Sequence, residues 1–335
     1  MLYYPALFKR IQNVMTFSAL LLSSVIAQAD YSKHELAEPF VESMVKEHGF
    51  QADFVRSVLA KAEKKQSILD AISRPAEKTK EWKDYRKIFL DNQRINQGVK
   101  FWKENAQAID KAAQEYGVSP EIIVSIIGVE TRYGRLAGRY RVVDALSTLA
   151  FDYPKRSAFF TKELKNFFIL IKEQELDPTS LYGSYAGAMG YGQFMPSSFL
   201  AYAVDFDGDN KKDIWQNPTD AIGSVANYFK RHGWQPEGPV ATRVRVTDNY
   251  DQKLVNQGGR PSLTIVEAKS LGFTPVVKGL DTSLAVMPLR YQGVHGTEFW
   301  LGFDNFYVIT RYNRSRLYAM AVWQLAEEIK EKYIQ

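Results

Sequence analysis

Apolar residues recur at helical spacing along most of the chain, and this pattern is interrupted once, between about residues 238 and 310. In each helical stretch the apolar side chains fall on one face at intervals of three and four residues. The clearest stretches are residues 54–62, 100–116, 161–170 and 219–229. The pattern therefore predicts a mainly α protein.

The interruption has the pattern of short β-strands. Residues 240–247 alternate apolar with polar side chains, as a strand with one buried face does. Further strands are expected at residues 262–266, 284–289, 298–302 and 305–310. A helix from Ser315 to Lys332 then restores the helical spacing. The sequence thus predicts a mainly α (α+β) fold in which residues 238–310 form a small β-rich insertion.

The most apolar of the predicted helices ends at an acidic residue, Glu130. Ser119 suits the N-cap and Pro120 the first helical position, and the apolar residues that follow fall on nearly every face, as in a buried helix. A carboxylate at the end of such a helix is partly desolvated, which raises its pKa and suits it to general acid catalysis. A glutamate that simply reaches solvent fits the helix equally well.

Residues 183–194 (GSYAGAMGYGQF) are rich in glycine. Their spacing matches neither the dinucleotide-binding GxGxxG pattern nor the lysine-containing phosphate loop. Glycine lets the backbone approach a ligand closely, with Tyr191, Gln193 and Phe194 then lining a groove. Taken alone, the segment is also explained by an ordinary glycine-rich connection before a helix that begins at Pro196.

Three aspartates stand two residues apart in the segment DFDGDNKKD, in the manner of an EF-hand calcium loop. Asn210 takes the sharp-turn position that glycine usually holds, and Gln216 replaces the closing glutamate, so Asp220 is the candidate for that ligand. A hydrated acidic turn is the alternative. The predicted Ca²⁺ ligands are Asp205, Asp207, Asp209, the backbone carbonyl of Lys211, and Asp220.

Tyrosines recur at positions where a sugar-binding groove needs rings, although each alone fits packing or surface as well. They are Tyr133, Tyr191, Tyr228, Tyr312 and Tyr318. Asn313 precedes the last predicted helix and is expected to be its N-cap, a role compatible with a substrate contact.

The composition excludes several kinds of chemistry. The chain has 335 residues, enough for two or three domains, and its 45% hydrophobic and 24% charged residues are typical of a folded globular protein. It contains no cysteine, which excludes disulfides, thiol nucleophiles and a lipid anchor on an N-terminal cysteine. The four histidines are scattered, so neither a zinc site nor a serine–histidine triad is indicated.

The N-terminus has the pattern of a secretory signal peptide. Lys9 and Arg10 precede an apolar stretch at residues 17–26, and Ala27-Gln28-Ala29 matches a small-x-small cleavage site. The stretch is too short for an ordinary membrane span, with an uncleaved anchor as the alternative. Cleavage leaves a mildly basic chain that suits an anionic polymer but lacks the footprint of a nucleic-acid-binding protein.

Three stretches resemble the lytic transglycosylase B family of bacterial cell-wall enzymes. They are IIGVETRYG at residues 126–134, AGAMGYGQFMPSS at residues 186–198 and DAIGSVANYF at residues 220–229. The second stretch is long and unusual, and the resemblance covers most of the mature chain. It implies a lysozyme-like helical core.

With this resemblance the chain is expected to divide into five parts. They are a signal peptide (1–29), an N-terminal helical domain (30–95), a lysozyme-like core (96–237) with its EF-hand-like loop (205–220), the β-rich insertion (238–310), and a C-terminal helix that completes the core (311–335).

The resemblance also implies the roles of individual residues. Glu130 falls at the position of a glutamate that acts first as acid and then as base. The substrate-binding candidates are Ser184, Gln193, Tyr228, Tyr312 and Asn313, to which the ring positions Phe194 and Tyr318 are added. Some members carry a calcium loop that aligns with the five predicted ligands, although this chain has one more residue between Trp215 and Asp220.

The implied reaction needs a single carboxylate. In this family the muramoyl C6 hydroxyl attacks its own C1 and gives a 1,6-anhydro product, whereas ordinary glycosidases need two acids. Asp144 and Asp152 are near Glu130 in sequence and are expected to be structural. The alternatives are a muramidase that cleaves the same bond with water and a non-catalytic peptidoglycan-binding scaffold.

The expected setting is the periplasm, with the protein a soluble monomer that has no membrane span after signal cleavage and no organic cofactor. The expected partners are peptidoglycan glycan strands, with cell-wall synthases as candidate protein partners and no nucleic acid.

Overall fold

Helices make up most of the structure, a computed structural model in which residues 30–74 and 80–335 are described. In chain order the helices are α1 (Ala37–His48), α2 (Ala52–Lys61), α3 (Gln66–Ser73), α4 (Trp82–Phe89), α5 (Asn92–Glu104), α6 (Ala106–Tyr116), α7 (Pro120–Thr131), α8 (Val142–Asp152), α9 (Ser157–Glu173), α10 (Pro196–Tyr202), α11 (Pro218–Arg231), α12 (Ile265–Ser270), α13 (Asp304–Tyr312) and α14 (Arg316–Ile334). The strands are β1 (Tyr140–Arg141), β2 (Tyr182–Gly183), β3 (Ala241–Val246), β4 (Leu263–Thr264), β5 (Phe273–Pro275), β6 (Ala285–Gly293) and β7 (Gly296–Gly302). The predicted mainly α fold is confirmed.

Helix α7 lies at the centre of the molecule, as its apolar faces predicted. Every residue from 121 to 129 is buried, and the helix packs against α5, α6, α11 and α14. Ser125 in its middle donates a hydrogen bond to the Val322 carbonyl of α14 at 2.6 Å, which satisfies the buried hydroxyl. Pro120 takes the first helical position, whereas Ser119 is the N-cap without a side-chain capping bond.

The N-terminal helices pack on this core through two aspartates of α8. Tyr31 donates its hydroxyl to Asp152 Oδ2 at 2.6 Å, and the backbone N–H of Glu63 donates to Asp144 Oδ1 at 2.8 Å. Arg141 also pairs with Asp144, with 2.8 Å between Nε and Oδ2. Both aspartates therefore have the structural role expected of them.

The insertion forms a five-stranded antiparallel sheet in the order β4-β6-β7-β3-β5. Residues of the sheet and of α12 bury a small core of their own, which includes Val244, Phe273 and Leu301. On β7, Trp300 meets Trp323 of α14 edge to face, with 5.3 Å between ring centroids, and this contact joins the sheet to the helical core. The strands predicted at residues 240–247, 284–289 and 298–302 are confirmed.

The prediction of a strand at residues 305–310 is wrong, because these residues lie in α13. Phe306 and Ile309 are buried three residues apart, which is the spacing of a helix face. Asn305 accepts the Gln235 N–H at 2.7 Å and donates to the Gly238 carbonyl at 2.8 Å, so the helix start also holds a neighbouring turn. Tertiary packing here overrides the β-branched composition that suggested a strand.

The prediction for residues 262–266 is also wrong beyond its first part. Only Leu263 and Thr264 pair in the sheet, and α12 begins at the next residue. Thr264 and Glu267 form a capping box, which is the local signal for a helix start that the strand reading overlooked.

Within the described residues no helix combines the length and the apolar character needed to cross a membrane. The predicted signal peptide at residues 1–29 lies outside the described residues.

Candidate active site

Glu130 stands in the last turn of α7, half-buried between buried neighbours. The Tyr318 hydroxyl, on the first turn of α14, donates a hydrogen bond to Glu130 Oε1 at 2.5 Å. Burial, followed by the nearby charge of Glu130, raises the pKa of Tyr318 well above its usual range. The hydroxyl therefore stays protonated and presents a fixed donor to the carboxylate.

The backbone after Glu130 turns sharply through three residues in the left-handed region. The φ angles are 49° at Arg132, 61° at Tyr133 and 84° at Gly134. Thr131 accepts the Gly134 N–H at 2.9 Å and donates its hydroxyl to the Tyr191 carbonyl at 2.9 Å. These bonds hold a conformation that is costly for residues with side chains, of the kind that clusters at functional sites.

Arg94 of α5 supports the C-terminal end of α7, a role that the sequence analysis missed. Its side chain is buried and donates to the Gly128 carbonyl at 2.8 Å and to the Ile88 carbonyl at 3.2 Å. The Tyr133 hydroxyl donates to the Arg94 carbonyl at 3.0 Å. A cation at the C-terminus of α7 supplies hydrogen bonds to carbonyls that have no partner within the helix. Its charge also interacts favourably with the negative end of the helix dipole. The pattern of a charged residue within an amphipathic helix gave no sign of this role.

The glycine-rich segment forms a tight turn whose backbone reaches the site. Met189 and Phe194 exchange two backbone hydrogen bonds of 2.9 Å each, and the Gly192 carbonyl accepts the Tyr312 hydroxyl at 2.6 Å. A Cβ at Gly192 would lie 2.8 Å from that hydroxyl, so glycine permits the approach. Gln193, with φ of 51°, donates its amide to the Ala137 carbonyl at 3.0 Å.

Ser184 stabilises the start of the same segment. Its hydroxyl accepts the N–H groups of Ala186 at 3.3 Å and Ala188 at 3.1 Å. Its hydroxyl is thus engaged in hydrogen bonds within the loop itself.

An aromatic cluster adjoins this segment and brings three predicted residues together. Tyr228 meets Tyr312 edge to face with 4.7 Å between centroids, and Phe194 lies 6.0 Å from Tyr228. Phe194 is only 3% exposed, so it supports the tyrosines from inside the core. Burial, then the charge of Glu130, raises the pKa of Tyr312 well above its usual range, so its hydroxyl stays protonated.

Asn313 is exposed beside this cluster, and its expected N-cap role is wrong. Ser315 caps α14 by accepting the Tyr318 N–H at 3.3 Å. Asn313 Oδ1 instead accepts the Ser315 N–H at 3.2 Å, which shapes the turn between α13 and α14.

The acidic loop brings three of its predicted ligands together. Carboxylate oxygens of Asp205, Asp207 and Asp209 all lie within 4.8 Å of one another. Asp205 accepts the N–H groups of Gly208 and Asn210, each at 2.7 Å, and Asn210 has the predicted left-handed backbone with φ of 68°. The loop is therefore wound as a cation-binding turn is.

Asp220 is not part of this group of oxygens. Its side chain is fully buried, with Oδ1 accepting the Phe206 N–H at 2.7 Å and Oδ2 accepting the Asp213 N–H at 2.8 Å. Burial raises its pKa. Both oxygens thus brace the two ends of the loop rather than face its centre.

A family model described as Transglycosylase SLT domain matches residues 32–327. The chain belongs to this family. A relative, membrane-bound lytic murein transglycosylase B of Escherichia coli (strain K12), is 42% identical over 315 residues, which cover 91% of this chain and 86% of the relative.

Solved structures of lytic transglycosylases agree with this assignment. Catenated SltB1 from Pseudomonas aeruginosa is 52% identical, with a TM-score of 0.87 over 91% of this chain and 100% of that chain. Slt35 from Escherichia coli, solved in complex with calcium, is 41% identical, with a TM-score of 0.82 over 92% of this chain and 96% of that chain. The transglycosylase SLT family member described here has the lysozyme-like fold and is a peptidoglycan lytic transglycosylase.

Proposed function

We propose that Glu130 is the acid and then the base of the lytic transglycosylase reaction. As an acid it protonates the bridging oxygen of the MurNAc-GlcNAc β-1,4 bond, and the bond from that oxygen to the muramoyl C1 breaks. As a carboxylate it takes the proton of the muramoyl C6 hydroxyl while that oxygen bonds to C1. The product is a 1,6-anhydro ring, and no water is consumed.

The observation that carries this proposal is the hydrogen bond by which the Tyr318 hydroxyl holds the Glu130 carboxylate. Glu130 accepts the Tyr318 hydroxyl at 2.5 Å. Asp144 pairs with Arg141, and Asp152 accepts the Tyr31 hydroxyl and pairs with Lys64. Because these two aspartates are held in ion pairs of their own, internal attack by the substrate is favoured over a two-carboxylate hydrolysis.

The groups around Glu130 suit a polar sugar with apolar faces. The substrate-binding candidates remain those of the sequence: Ser184, Gln193, Phe194, Tyr228, Tyr312, Asn313 and Tyr318. Of these, Asn313 is exposed and Phe194 is buried behind the rings. We therefore assign direct glycan contact first to the Asn313 side-chain amide and to the backbone of the glycine-rich loop. Phe194 supports the tyrosine rings from behind.

Mass spectrometry of the products from purified sacculi tests the assignment of Glu130. The wild-type chain is expected to release anhydro-muropeptides, and Glu130→Gln, which keeps size and removes the acid, to release none. Glu328→Gln, an exposed change on α14, is the matched control and should act like wild type.

Three other outcomes would contradict the mechanism. Products with reducing ends would identify a muramidase, which adds water to the same bond. Full activity of Glu130→Gln would remove Glu130 from its central role, and a wild-type chain with no product would favour the scaffold reading.

The acidic loop is proposed to bind Ca²⁺. Three carboxylates whose oxygens converge within 4.8 Å repel one another, and no lysine or arginine among the described residues forms an ion pair with them. The fit is that of hard oxygen donors, with Asp205, Asp207 and Asp209 as side-chain ligands and Lys211 as the backbone ligand. Asp220 would hold the loop closed, and the calcium complex of Slt35 supports the same ion.

The proposed setting is the periplasm, reached through the signal peptide predicted at residues 1–29. Peptidoglycan glycan strands are the proposed substrate, and cell-wall synthases remain the candidate protein partners. The murein substrate of the Escherichia coli relative supports this setting.

A further inference from the structure

A cationic cavity lies between the β-sheet and the start of α14. It has a volume of about 780 Å³, and its lining includes residues of the α13–α14 turn and of β6. Among the described residues that line it, none is acidic. We name it the basic pocket after its five cationic side chains, Lys80, Arg290, Arg311, Arg314 and Arg316.

The charges of the basic pocket are not neutralised by the described part of the chain. None of its four arginines has a carboxylate oxygen of a described residue within 4.0 Å. By contrast, Arg243 of the same sheet pairs with Glu298 at 3.2 Å. Like charges gathered in a concavity raise the local potential, so this surface favours an anion from outside.

The start of α14 adds to this potential. Ser315, Arg316 and Leu317 line the basic pocket, so the positive end of a 19-residue helix opens into it. The Arg316 guanidinium donates to the Asn256 carbonyl, which ties the floor of the pocket to the insertion. The cation-bearing side chains at the rim, including Arg290 and Arg314, are exposed.

Two arginines of the basic pocket adjoin residues of the candidate site around Glu130 in the chain. Arg311 and Arg314 flank Tyr312 and Asn313 in sequence, and the Arg311 carbonyl accepts the Tyr228 hydroxyl at 2.7 Å. Ser315 lies one turn before Tyr318, which bonds to Glu130. Substituents of a glycan bound beside Tyr312 and Asn313 would therefore lie near Arg311 and Arg314.

We propose that the basic pocket binds carboxylates of the peptide stem carried by the muramoyl residue. The proposal rests on the proposed function, since it takes the substrate to be a peptidoglycan strand. Stem peptides bear free carboxylates, and a guanidinium pairs with a carboxylate through two parallel hydrogen bonds. A single exposed arginine–carboxylate pair contributes little binding energy. Several such pairs together would favour peptide-bearing strands over bare glycan.

The test compares two soluble substrates, glycan oligomers that carry stem peptides and the same oligomers stripped of them by an amidase. Arg290→Gln/Arg314→Gln in the full chain should raise KM on the peptide-bearing oligomer by roughly five- to ten-fold. On the stripped oligomer its KM should match wild type. The control Arg231→Gln/Arg245→Gln removes two exposed charges outside the pocket and should leave KM unchanged on both.

An equal rise of KM on both substrates, or none on either, would overturn the proposal. A separate arm keeps it testable if the proposed function fails. Free stem tetrapeptide is titrated by calorimetry into Glu130→Gln with and without the two pocket substitutions. Binding lost only with the pocket substitutions supports the proposal. Equal affinity, or equally tight binding of inorganic phosphate, would overturn it.

Discussion

Tyr318 and Glu130 are joined by a hydrogen bond of 2.5 Å that links the last turn of α7 to the first turn of α14. The tyrosine is 3% exposed, and its raised pKa keeps the proton on its hydroxyl. A neutral, buried donor therefore fixes the position of Glu130 Oε1.

Tyr318→Phe should lower kcat by about ten- to a hundred-fold, because it removes the donor that orients the carboxylate and keeps the buried ring. The measurement is the initial rate of anhydro-muropeptide release. Tyr333→Phe, on the same helix, keeps the stacking of its ring on Trp102 and should retain the wild-type rate. Equal rates for both variants would show that the hydrogen bond has no catalytic role.

Arg94→Met should destabilise the fold by about 2–4 kcal/mol, because the buried carbonyls of Gly128 and Ile88 lose their donor. Urea unfolding measures this change. Arg132→Met removes a partly exposed pair with Asp91, whose atoms lie 3.3 Å apart, and should cost about 0.5 kcal/mol or less. A small loss for Arg94→Met would mean that water replaces its hydrogen bonds.

Gly190→Ala should cost more stability than Gly233→Ala, although both glycines have left-handed backbone with φ of 68° and 89°. A Cβ at Gly190 would lie 2.3 Å from the Ile214 carbonyl oxygen, whereas nothing stands within 4 Å at Gly233. The strain common to both is about 1 kcal/mol, and the contact adds to it only at Gly190. Thermal unfolding of the two variants should give clearly different Tm values, and equal values would refute the clash.

Stability should fall as the pH drops below about 6.5, in part through His232. Burial lowers the pKa of His232 below 6.5, and its Nδ1 lies 2.8 Å from the Tyr228 carbonyl. The unfolded chain therefore binds this proton at a higher pH than the folded chain does. The contribution is complete above pH 6.5 and is lost as the pH falls toward the folded pKa.

The measurement for His232 is urea unfolding at pH 7.5 and 5.5 for wild type and His232→Gln. The variant should lose less stability between these pH values, since it lacks the buried imidazole. An identical loss would exclude His232 as the group responsible.

Calcium should raise the Tm of the wild-type chain by several degrees, because an ion that binds only the folded loop stabilises it. Asp207→Asn removes one of the converging carboxylates and should abolish most of this shift, measured against EDTA. Asp248→Asn, an exposed change on the insertion, is the control and should keep the full shift. A wild-type Tm that calcium leaves unchanged would contradict the proposed Ca²⁺ site.

Local signals in the sequence were sufficient to predict several elements. The apolar run after Pro120 predicted the buried helix α7, and alternation at residues 240–247 predicted β3. Both follow from periodicity, which depends only on neighbours in the chain. The turn at Asn210 likewise follows from the backbone preference of one residue.

Contacts between distant segments could not be predicted from periodicity or from local residue preferences. Arg94 meets Gly128 across 34 residues, and neither position shows it by its neighbours. Asp220 was expected to face the calcium loop, yet burial directs both of its oxygens to backbone N–H groups. Residues 305–310 were read as a strand because composition alone does not reveal which face of Phe306 and Ile309 becomes buried.

The bond between Tyr318 and Glu130 spans 188 residues of chain, with the whole β-sheet folded in between. Contacts of such high sequence separation form late, since the intervening loop must first be closed. A nascent chain that still lacks α14 thus has α7 without its tyrosine partner. Wall-cleaving activity should therefore arise only when folding is complete, which delays a self-damaging reaction without a separate inhibitor.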